Sequence, residues 1–368
     1  MDTCLFKNLF GRIKIAFDFK KVNSPNSKIE NKAKTQIGQI NIKQGLTYSE
    51  AKDLVISVID QKLIAFEDEA KATYDLRTDE FKKLLTSKIK NLPEEEIAKF
   101  KDPDTQLTLI EAAKISGRKQ NEELRNLLAN LVISRIKNDK TGKEELKNIV
   151  YNEAISTINK LTVDQLKIIT LCYLLRYTSY SGIKSWDTFK NYLNTHIKPF
   201  LGFKNTDAEF QHLEYAGCGN IGIGSWDLIN IYRLQYSFLF FNLVEKKEID
   251  DLKLANDIKA VIVKLDAKED KYFLRFKNKT DLENYLKEKQ IDNETTKKLT
   301  SIYERHIKNN EEIRNKIEKE TDIGKELIDI LGKSALINLS LTSVGIAIGI
   351  GYFEQVVKEK IDINIWIN

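Results

Sequence analysis

Residues 121–136 read NEELRNLLANLVISRI and contain the clearest amphipathic pattern of the chain. Glu122, Glu123 and Arg125 begin a polar face. The apolar positions recur at the 3.6-residue period of an α-helix; they are Leu124, Leu127, Leu128, Leu131, Val132 and Ile136. The stretch therefore predicts an amphipathic helix, and similar patterns elsewhere indicate a mainly helical protein.

Further helices are predicted on both sides of this one. Thr47-Tyr-Ser-Glu50 has the pattern of a capping box and opens a helix that continues past residue 75, with a break near Thr78, and ends before Pro93. Apolar periodicity predicts helices over 105–116 and 143–160. Capping residues predict the starts of four more helices: Thr162, with a helix through Tyr177; Ser185, with a helix over 186–195; Thr206, with a short helix; and Thr280, with a helix to about Lys289.

Length and composition agree with a folded, helix-rich protein. The chain has 368 residues, of which 42% are hydrophobic and 31% charged, and this excludes a disordered chain. Only four prolines are present, which favours long helices over a turn-rich sandwich. We predict an N-terminal segment with a linker and a short strand over 1–45, a helical domain over 46–245, and a C-terminal module over 246–368.

The C-terminal module is predicted to contain a small α+β unit. Residues 335–341 and 361–367 alternate as strands of one sheet, and residues 342–357 form a helix that lies on it. Residues 272–276 also alternate as a strand. Residues 334–353 carry no charge, which leaves membrane insertion as an alternative, but the change of pattern at Thr342 favours a buried strand followed by a helix.

A glycine-rich segment at 217–224, GCGNIGIG, is the main candidate for a ligand or partner site. Its glycines satisfy GxGxxG, a weak indication of a dinucleotide-binding turn, since no βαβ pattern surrounds it. The alternative is a turn in which Gly219 and Gly222 have positive φ and allow close packing. An apolar helix is predicted over 226–243. The candidate site residues are His212, Gly217, Cys218, Gly219, Gly222 and Gly224.

An apolar segment at 4–19 has helical spacing with basic residues between its apolar positions. The apolar face consists of Leu5, Leu9, Ile13 and Phe17. We expect it to dock on the body of the protein or on a partner, while binding to a membrane surface stays open. A polar linker over 20–31 and one short strand within 36–45 follow.

No catalytic motif is evident. The three histidines are isolated, the three cysteines form no CxxC, and no metal-ligand spacing occurs, so we predict no metal, no cofactor and no catalytic residue. A net charge of +5 over this length does not argue for nucleic-acid binding. The sparse cysteines and the lack of a signal-peptide pattern predict a cytoplasmic protein.

Several stretches resemble a family of uncharacterised bacterial proteins known by the locus tags of its representatives. They are QINIKQGLTYSEAKDL, NEELRNLLANLVISRI, LTVDQLKIITLCYLLRYT, HLEYAGCGNIGIGS, LSLTSVGIAIG and the terminal IWIN. The first 35 residues depart from the family. The Leu-Thr-x-x-Gly pattern from Leu341 to Gly345 also resembles abortive-infection alpha proteins and winged-helix-like modules. The resemblance implies a soluble, helix-rich bacterial protein linked to phage defence, and no catalytic residues are carried over.

Together these features predict a non-enzymatic, intracellular sensing or interaction protein that associates with itself or with a protein partner. Two alternatives stay open. One is a membrane-acting effector that uses residues 4–19 or 334–353, and the other is a nucleotide-responsive enzyme that uses the loop 217–224.

Overall fold

The computed structural model describes residues 48–90, 92–137, 144–266, 270–276, 278–363 and 366. The chain divides into two compact units, residues 1–65 and 66–368. Within the second unit the helices and strands pack against one another as follows. The described residues contain sixteen α-helices and five short strands, so the prediction of a mainly α fold is confirmed. The predicted segments 4–19, 20–31 and 36–45, with the capping residue Thr47, lie outside the described residues.

The first six helices are separated by short connections. They are α1 (Tyr48–Ile89), α2 (Glu94–Ala98), α3 (Pro103–Arg118), α4 (Glu122–Ile136), α5 (Glu144–Ile158) and α6 (Val163–Cys172). The predicted break near Thr78 is wrong. The Thr78 hydroxyl donates to the Tyr74 carbonyl oxygen one turn earlier (2.8 Å) and so is satisfied without interrupting the helix.

Three helix starts lie where capping residues place them. The Asn121 side chain accepts from the amides of Glu123 and Leu124 at the start of α4. Thr162 forms a complete capping box with Gln165 at the start of α6. Ser185 forms another at the start of α7 (Trp186–Tyr192). These bonds satisfy amides that the first helical turn leaves without partners.

Two predicted caps are wrong in detail. Thr206 precedes α8 (Asp207–Tyr215), but its side chain makes no capping hydrogen bond. The helix predicted to start at Thr280 is Lys279–Glu288, and its cap is Asn278, whose side chain accepts from the Asp281 amide (2.8 Å). Asn278 lies two positions before Thr280 and competes successfully for the same kind of bond.

A helix near the C-terminus forms part of the core of the second unit. It runs over Ser343–Val357, all of its residues from Gly345 to Phe353 are buried, and it packs against α4, α5 and α6. Thr342 caps it by accepting from the Gly345 amide (3.2 Å). The second half of the uncharged run, residues 345–353, therefore lies inside the protein core. In the described part of the chain, no helix has the length and apolar character needed to cross a membrane.

The strands around this helix differ from the prediction. Residues 335–338 form a 3₁₀ turn, and only β5 (Leu339–Leu341) is extended. Its partner is β1 (Gly219–Ile221), in antiparallel register with Gly219 opposite Leu341. Of the predicted strand 361–367, residues 361–363 and 366 are described, and none of them belongs to a strand. In this segment the alternation of apolar and polar residues reflects packing of one side against the protein, since Ile363 is buried while Asp362 is exposed.

A further correction concerns residues 226–243, which do not form one helix. The helix α9 covers only Leu228–Gln235, and a 3₁₀ turn follows at Ser237–Leu239. Tyr236, between them, leaves the helical conformation, and its hydroxyl accepts from the Tyr180 amide (2.7 Å).

Residues 244–307 form a hydrophobic cluster of their own. A three-stranded antiparallel sheet, in the order β2 (Val244–Glu245), β4 (Lys271–Leu274) and β3 (Val263–Asp266), packs with the helices around it. β4 overlaps the strand predicted over 272–276 at residues 272–274 and begins one residue earlier. The helices of this part are α10 (Lys246–Asp250), α11 (Asn256–Ile262), α12 (Lys279–Glu288) and α13 (Asn293–His306).

Two helices, α14 (Asn310–Glu320) and α15 (Gly324–Lys333), lead back to β5, so the helix Ser343–Val357 is α16. Single π-helical turns at Tyr173–Tyr177 and Leu193–Ile197 extend α6 and α7. The domain limits at 45 and 245 stay predictions.

Two arginines of α4 lie in the interior. Arg125, predicted to be on the polar face, is buried and forms a salt bridge with Glu80 of α1 (2.8 Å). Arg135 is 4% exposed and donates to Asp104, to Thr105 Oγ1 (2.7 Å) and to Asn152 Oδ1 (2.6 Å). Arg135 thereby joins α3, α4 and α5 by charge-assisted bonds.

Candidate functional site

The glycine-rich segment begins as the end of helix α8. The Gly217 amide donates to the Glu214 carbonyl oxygen, and the Cys218 amide donates to that of Leu213 (both 3.0 Å). Gly217 has φ +82°, the left-handed conformation that glycine adopts most readily. This is a Schellman motif, in which the two bonds satisfy carbonyl groups that the helix end leaves free. Gly217 therefore has a structural role.

The chain then pairs with β5 as strand β1. The Thr342 amide donates to the Cys218 carbonyl oxygen (3.1 Å), and the Gly222 amide donates to that of Asn338 (3.0 Å). A Cβ atom on Gly219 would lie 2.8 Å from the Ser340 carbonyl oxygen. The expected positive φ at Gly219 and Gly222 is wrong, since positive-φ glycines in the described residues are Gly202 and Gly217. At Gly219 the close approach of the neighbouring strand, rather than backbone conformation, disfavours a side chain.

Side chains form hydrogen bonds with backbone groups at both edges of this two-stranded sheet. On the β5 side, Arg176 Nη1 donates to the Leu339 carbonyl oxygen (2.6 Å), and the Leu341 amide donates to the Tyr177 hydroxyl (2.8 Å). On the β1 side, the Ile221 amide donates to Glu214 Oε1 (3.1 Å). Because these backbone groups already have partners, they are not available for pairing with a further strand.

The tip of the segment, Gly222–Ser225, projects into solvent. Ile223 is fully exposed, and a Cβ atom on Gly224 would meet no atom within 4 Å. The tip is nevertheless fixed at both ends. Beyond the Gly222 bond, Asn338 Nδ2 donates to the Gly224 carbonyl oxygen (3.3 Å), and the Trp226 amide donates to that of Ile337 (2.9 Å). An isoleucine is thus presented to solvent on a well-anchored loop.

A second exposed apolar side chain lies on the neighbouring helix end. Tyr215 is 78% exposed in the last turn of α8, and the bond between Glu214 and Ile221 ties this turn to the end of β1. The ammonium group of Lys160 lies 5.9 Å from the centre of the Tyr215 ring. We call Tyr215 and the tip 222–225 the loop surface.

The other two candidates lie away from the tip. The Gln165 amide group is 2.9 Å from His212 Nδ1, so this histidine is joined to the start of α6. Cys218 is fully buried, and burial raises the pKa of its thiol to about 12, while the charge of Lys160 opposes the shift. The thiol stays protonated near neutral pH and is inaccessible, which excludes ready nucleophilic chemistry at this residue.

The segment differs from a dinucleotide-binding turn. In that turn the glycines follow a strand and open a helix whose free amides receive a pyrophosphate. Here Gly219 lies within a strand, and the amides at the start of α9 are already used. The Asp227 carboxylate accepts from the amides of Ile229 (2.8 Å) and Asn230 (3.4 Å). A carboxylate in this position would repel a phosphate group.

The structure thus separates the sequence candidates. Gly222 and Gly224 lie at the exposed tip, Gly217 and Gly219 shape the backbone beneath it, and the Leu5, Leu9, Ile13 and Phe17 face lies outside the described residues. Sequence reasoning did not single out Tyr215 and Ile223. An isoleucine between two glycines was the available signal for Ile223, whereas Tyr215 has the appearance of an ordinary helix residue.

The comparisons with known proteins concern the chain as a whole. No curated protein and no solved structure matches it. Within the described residues, no group of three or more His, Cys, Asp or Glu side chains is placed to hold a metal ion. The model of an uncharacterised family named after a locus tag matches residues 45–367. The chain belongs to this family.

Proposed function

We propose that this protein is a non-enzymatic bacterial interaction protein, with the loop surface as its contact site. The observation that carries the proposal is the fully exposed Ile223 on a loop whose backbone is bonded on both sides. Burying an isoleucine side chain contributes about 1.5–3 kcal/mol. A rigid loop loses little conformational entropy on binding, so most of this contribution is retained.

The partner favoured here is a second copy of the chain or another protein with an apolar pocket. An apolar tip beside a tyrosine suits such a pocket, because aromatic and aliphatic anchors dominate the energy of protein interfaces. Several backbone groups at the sheet edges already have side-chain partners, and this favours a contact made by side chains rather than by an added strand.

The role in phage defence and the intracellular location are part of this proposal. They rest on the resemblance of the Leu341–Gly345 pattern to abortive-infection proteins and on the sparse cysteines. The membrane-acting alternative depends on residues 4–19, since residues 334–353 are folded among other helices. The nucleotide-responsive alternative has less support, given the Asp227 carboxylate at the start of α9.

The proposal is tested by sedimentation velocity of the full chain over a range of concentrations. We expect concentration-dependent association that Ile223→Ser weakens by about tenfold or more, with further loss in the double variant with Tyr215→Ala. Leu107→Ser is the matched control, because Leu107 is also exposed (65%) but lies on α3. If the wild-type chain stays monomeric, capture from the source lysate is compared for the wild type and the two variants. A result in which Ile223→Ser binds the same proteins as wild type would contradict the proposal.

A further inference from the structure

A groove of about 460 Å³ lies on a part of the molecule that the loop surface does not include. Its walls are the end of α1, the turn at Leu92 and Pro93, the C-terminal half of α4, and residues 354–360. The volume falls in the range of small-molecule sites, which is about 300–1,000 Å³. Ile133 and Leu92 provide apolar surface within it.

Four lysines from three distant parts of the sequence line this groove. They are Lys88, Lys137, Lys358 and Lys360. Within the described residues, none of their ammonium groups forms a salt bridge. Two carboxylates, Glu96 and Glu354, lie in the same groove, so its charged side chains together carry two net positive charges. The groove therefore has an excess of positive charge in a concave surface, where fields are concentrated.

The positive charge of Lys88 is disfavoured in this groove. The pKa of Lys88 is lowered by its burial and by the nearby charges of Lys358 and Lys137. An anion in the groove would relieve this repulsion. Glu354 supplies part of this negative charge: burial raises its pKa, whereas the Ile361 amide, which donates to its Oε1 (2.9 Å), and the charges of Lys137 and Lys360 lower it.

The segment 358–360, which carries two of the lysines, is anchored by the side chain of the residue between them. The side chain of Glu359, between Lys358 and Lys360, lies 3.1 Å from His196 Nε2. His196 is itself buried against Tyr192 and Phe353. Lys358 has φ +68°, a left-handed conformation at the end of α16 that usually belongs to glycine. A lysine at this position brings an ammonium group to the groove.

We propose that this groove binds a small ligand that carries two or more phosphate groups. Lysine is a common phosphate-binding residue that acts as a point charge, and several converging lysines suit a polyphosphate better than a single carboxylate. The limited volume favours a molecule of nucleotide size over a nucleic-acid chain. The lysines also lie near the C-terminal ends of α1, α4 and α16, where they would complement helix dipoles, and the experiment separates these two roles.

The test is isothermal titration calorimetry of the full chain with sodium tripolyphosphate at near-physiological salt. We expect measurable binding that Lys88→Gln and Lys358→Gly each weaken by about tenfold, which is the loss expected for a charge-assisted bond. Lys358→Gly keeps the left-handed backbone without strain. Lys325→Gln, at an exposed lysine of α15, removes the same charge elsewhere and is the control.

A variant that should act in the opposite direction keeps the test independent of folding defects. Glu354→Gln retains an oxygen for the Ile361 amide but removes a negative charge, so it should tighten tripolyphosphate binding several-fold. Absence of binding by the wild type, or equal weakening by Lys325→Gln, would overturn the proposal. So would a loss of stability without any loss of affinity in the lysine variants, which is the result expected for helix capping alone. Tighter binding of a single-stranded oligonucleotide than of tripolyphosphate would replace the small ligand with nucleic acid.

Discussion

A Cβ atom on Gly345 would lie 2.0 Å from the carbonyl oxygen of Cys218. This distance is far below van der Waals contact, so α16 approaches the end of β1 as closely as it does because residue 345 has no side chain. The same Cys218 carbonyl accepts from the Thr342 amide, which joins the helix cap to the sheet. The glycine-rich segment and the buried helix are therefore one packing unit.

The first prediction follows from this contact. Gly345→Ala should lower the free energy of unfolding by about 1–3 kcal/mol, because the methyl group forces the backbone of residue 218 or of α16 to move. Gly332→Ala in α15 is the control, since a Cβ atom there would meet nothing within 4 Å. It should leave stability unchanged or raise it by up to about 1 kcal/mol. Urea denaturation of both variants measures the difference, and equal stabilities would contradict the packing described.

The second prediction concerns the sheet. Gly219→Val should destabilise the protein by about 1–3 kcal/mol, because its side chain would collide with Ser340 and Leu339 of the opposite strand. Gly224→Ala at the open tip should change stability by less than about 0.5 kcal/mol. Thermal melts followed by circular dichroism report both. A melting temperature of the Gly219 variant equal to that of wild type would mean that the strands are not this close.

The third prediction concerns Arg135. Replacement by Met should cost about 1–3 kcal/mol, because Thr105 and Asn152 lose a buried charge-assisted donor while the Asp104 carboxylate stays in place. Arg135→Lys should recover only part of the lost stability, since a single ammonium group cannot reach all three acceptors that the guanidinium group bonds in different directions. Lys298→Met, at an exposed pair with Glu294, is expected to cost no more than about 0.5 kcal/mol. Chemical denaturation would contradict this prediction if the two arginine variants were as stable as the Lys298 variant.

The fourth prediction concerns the buried thiols. Burial raises the pKa of Cys172 and of Cys218 to about 12 from an unfolded value of 9.0. A raised pKa means that the folded state favours the neutral thiol. The contribution of the neutral thiols to the free energy of unfolding is fully present below pH 9 and is lost as the pH rises from 9 to about 12. In a Cys4→Ser background we expect thiol labelling at pH 8 to be slower by about a hundredfold or more in native protein than in urea. Equal rates in the two conditions would show that the thiols are exposed.

Much of the helical structure follows from local sequence. Asn121, Thr162 and Ser185 mark helix starts because the amides that they bond lie two or three residues away. The cap predicted at Thr280 is wrong, because Asn278, two positions earlier, makes the capping hydrogen bond instead. The Tyr272 region alternates as a strand and pairs on both sides.

The sequence by itself determined the mainly helical class and the positions of most helices. Only the tertiary structure decided that Gly219–Ile221 is a strand, that its partner lies about 120 residues later, and that Arg125 is buried. It also brought Lys88, Lys137 and Lys358 to one groove. Helix hydrogen bonds join residues four apart and leave a periodic signal, whereas a strand pair or a charge cluster joins distant residues whose proximity no local pattern records.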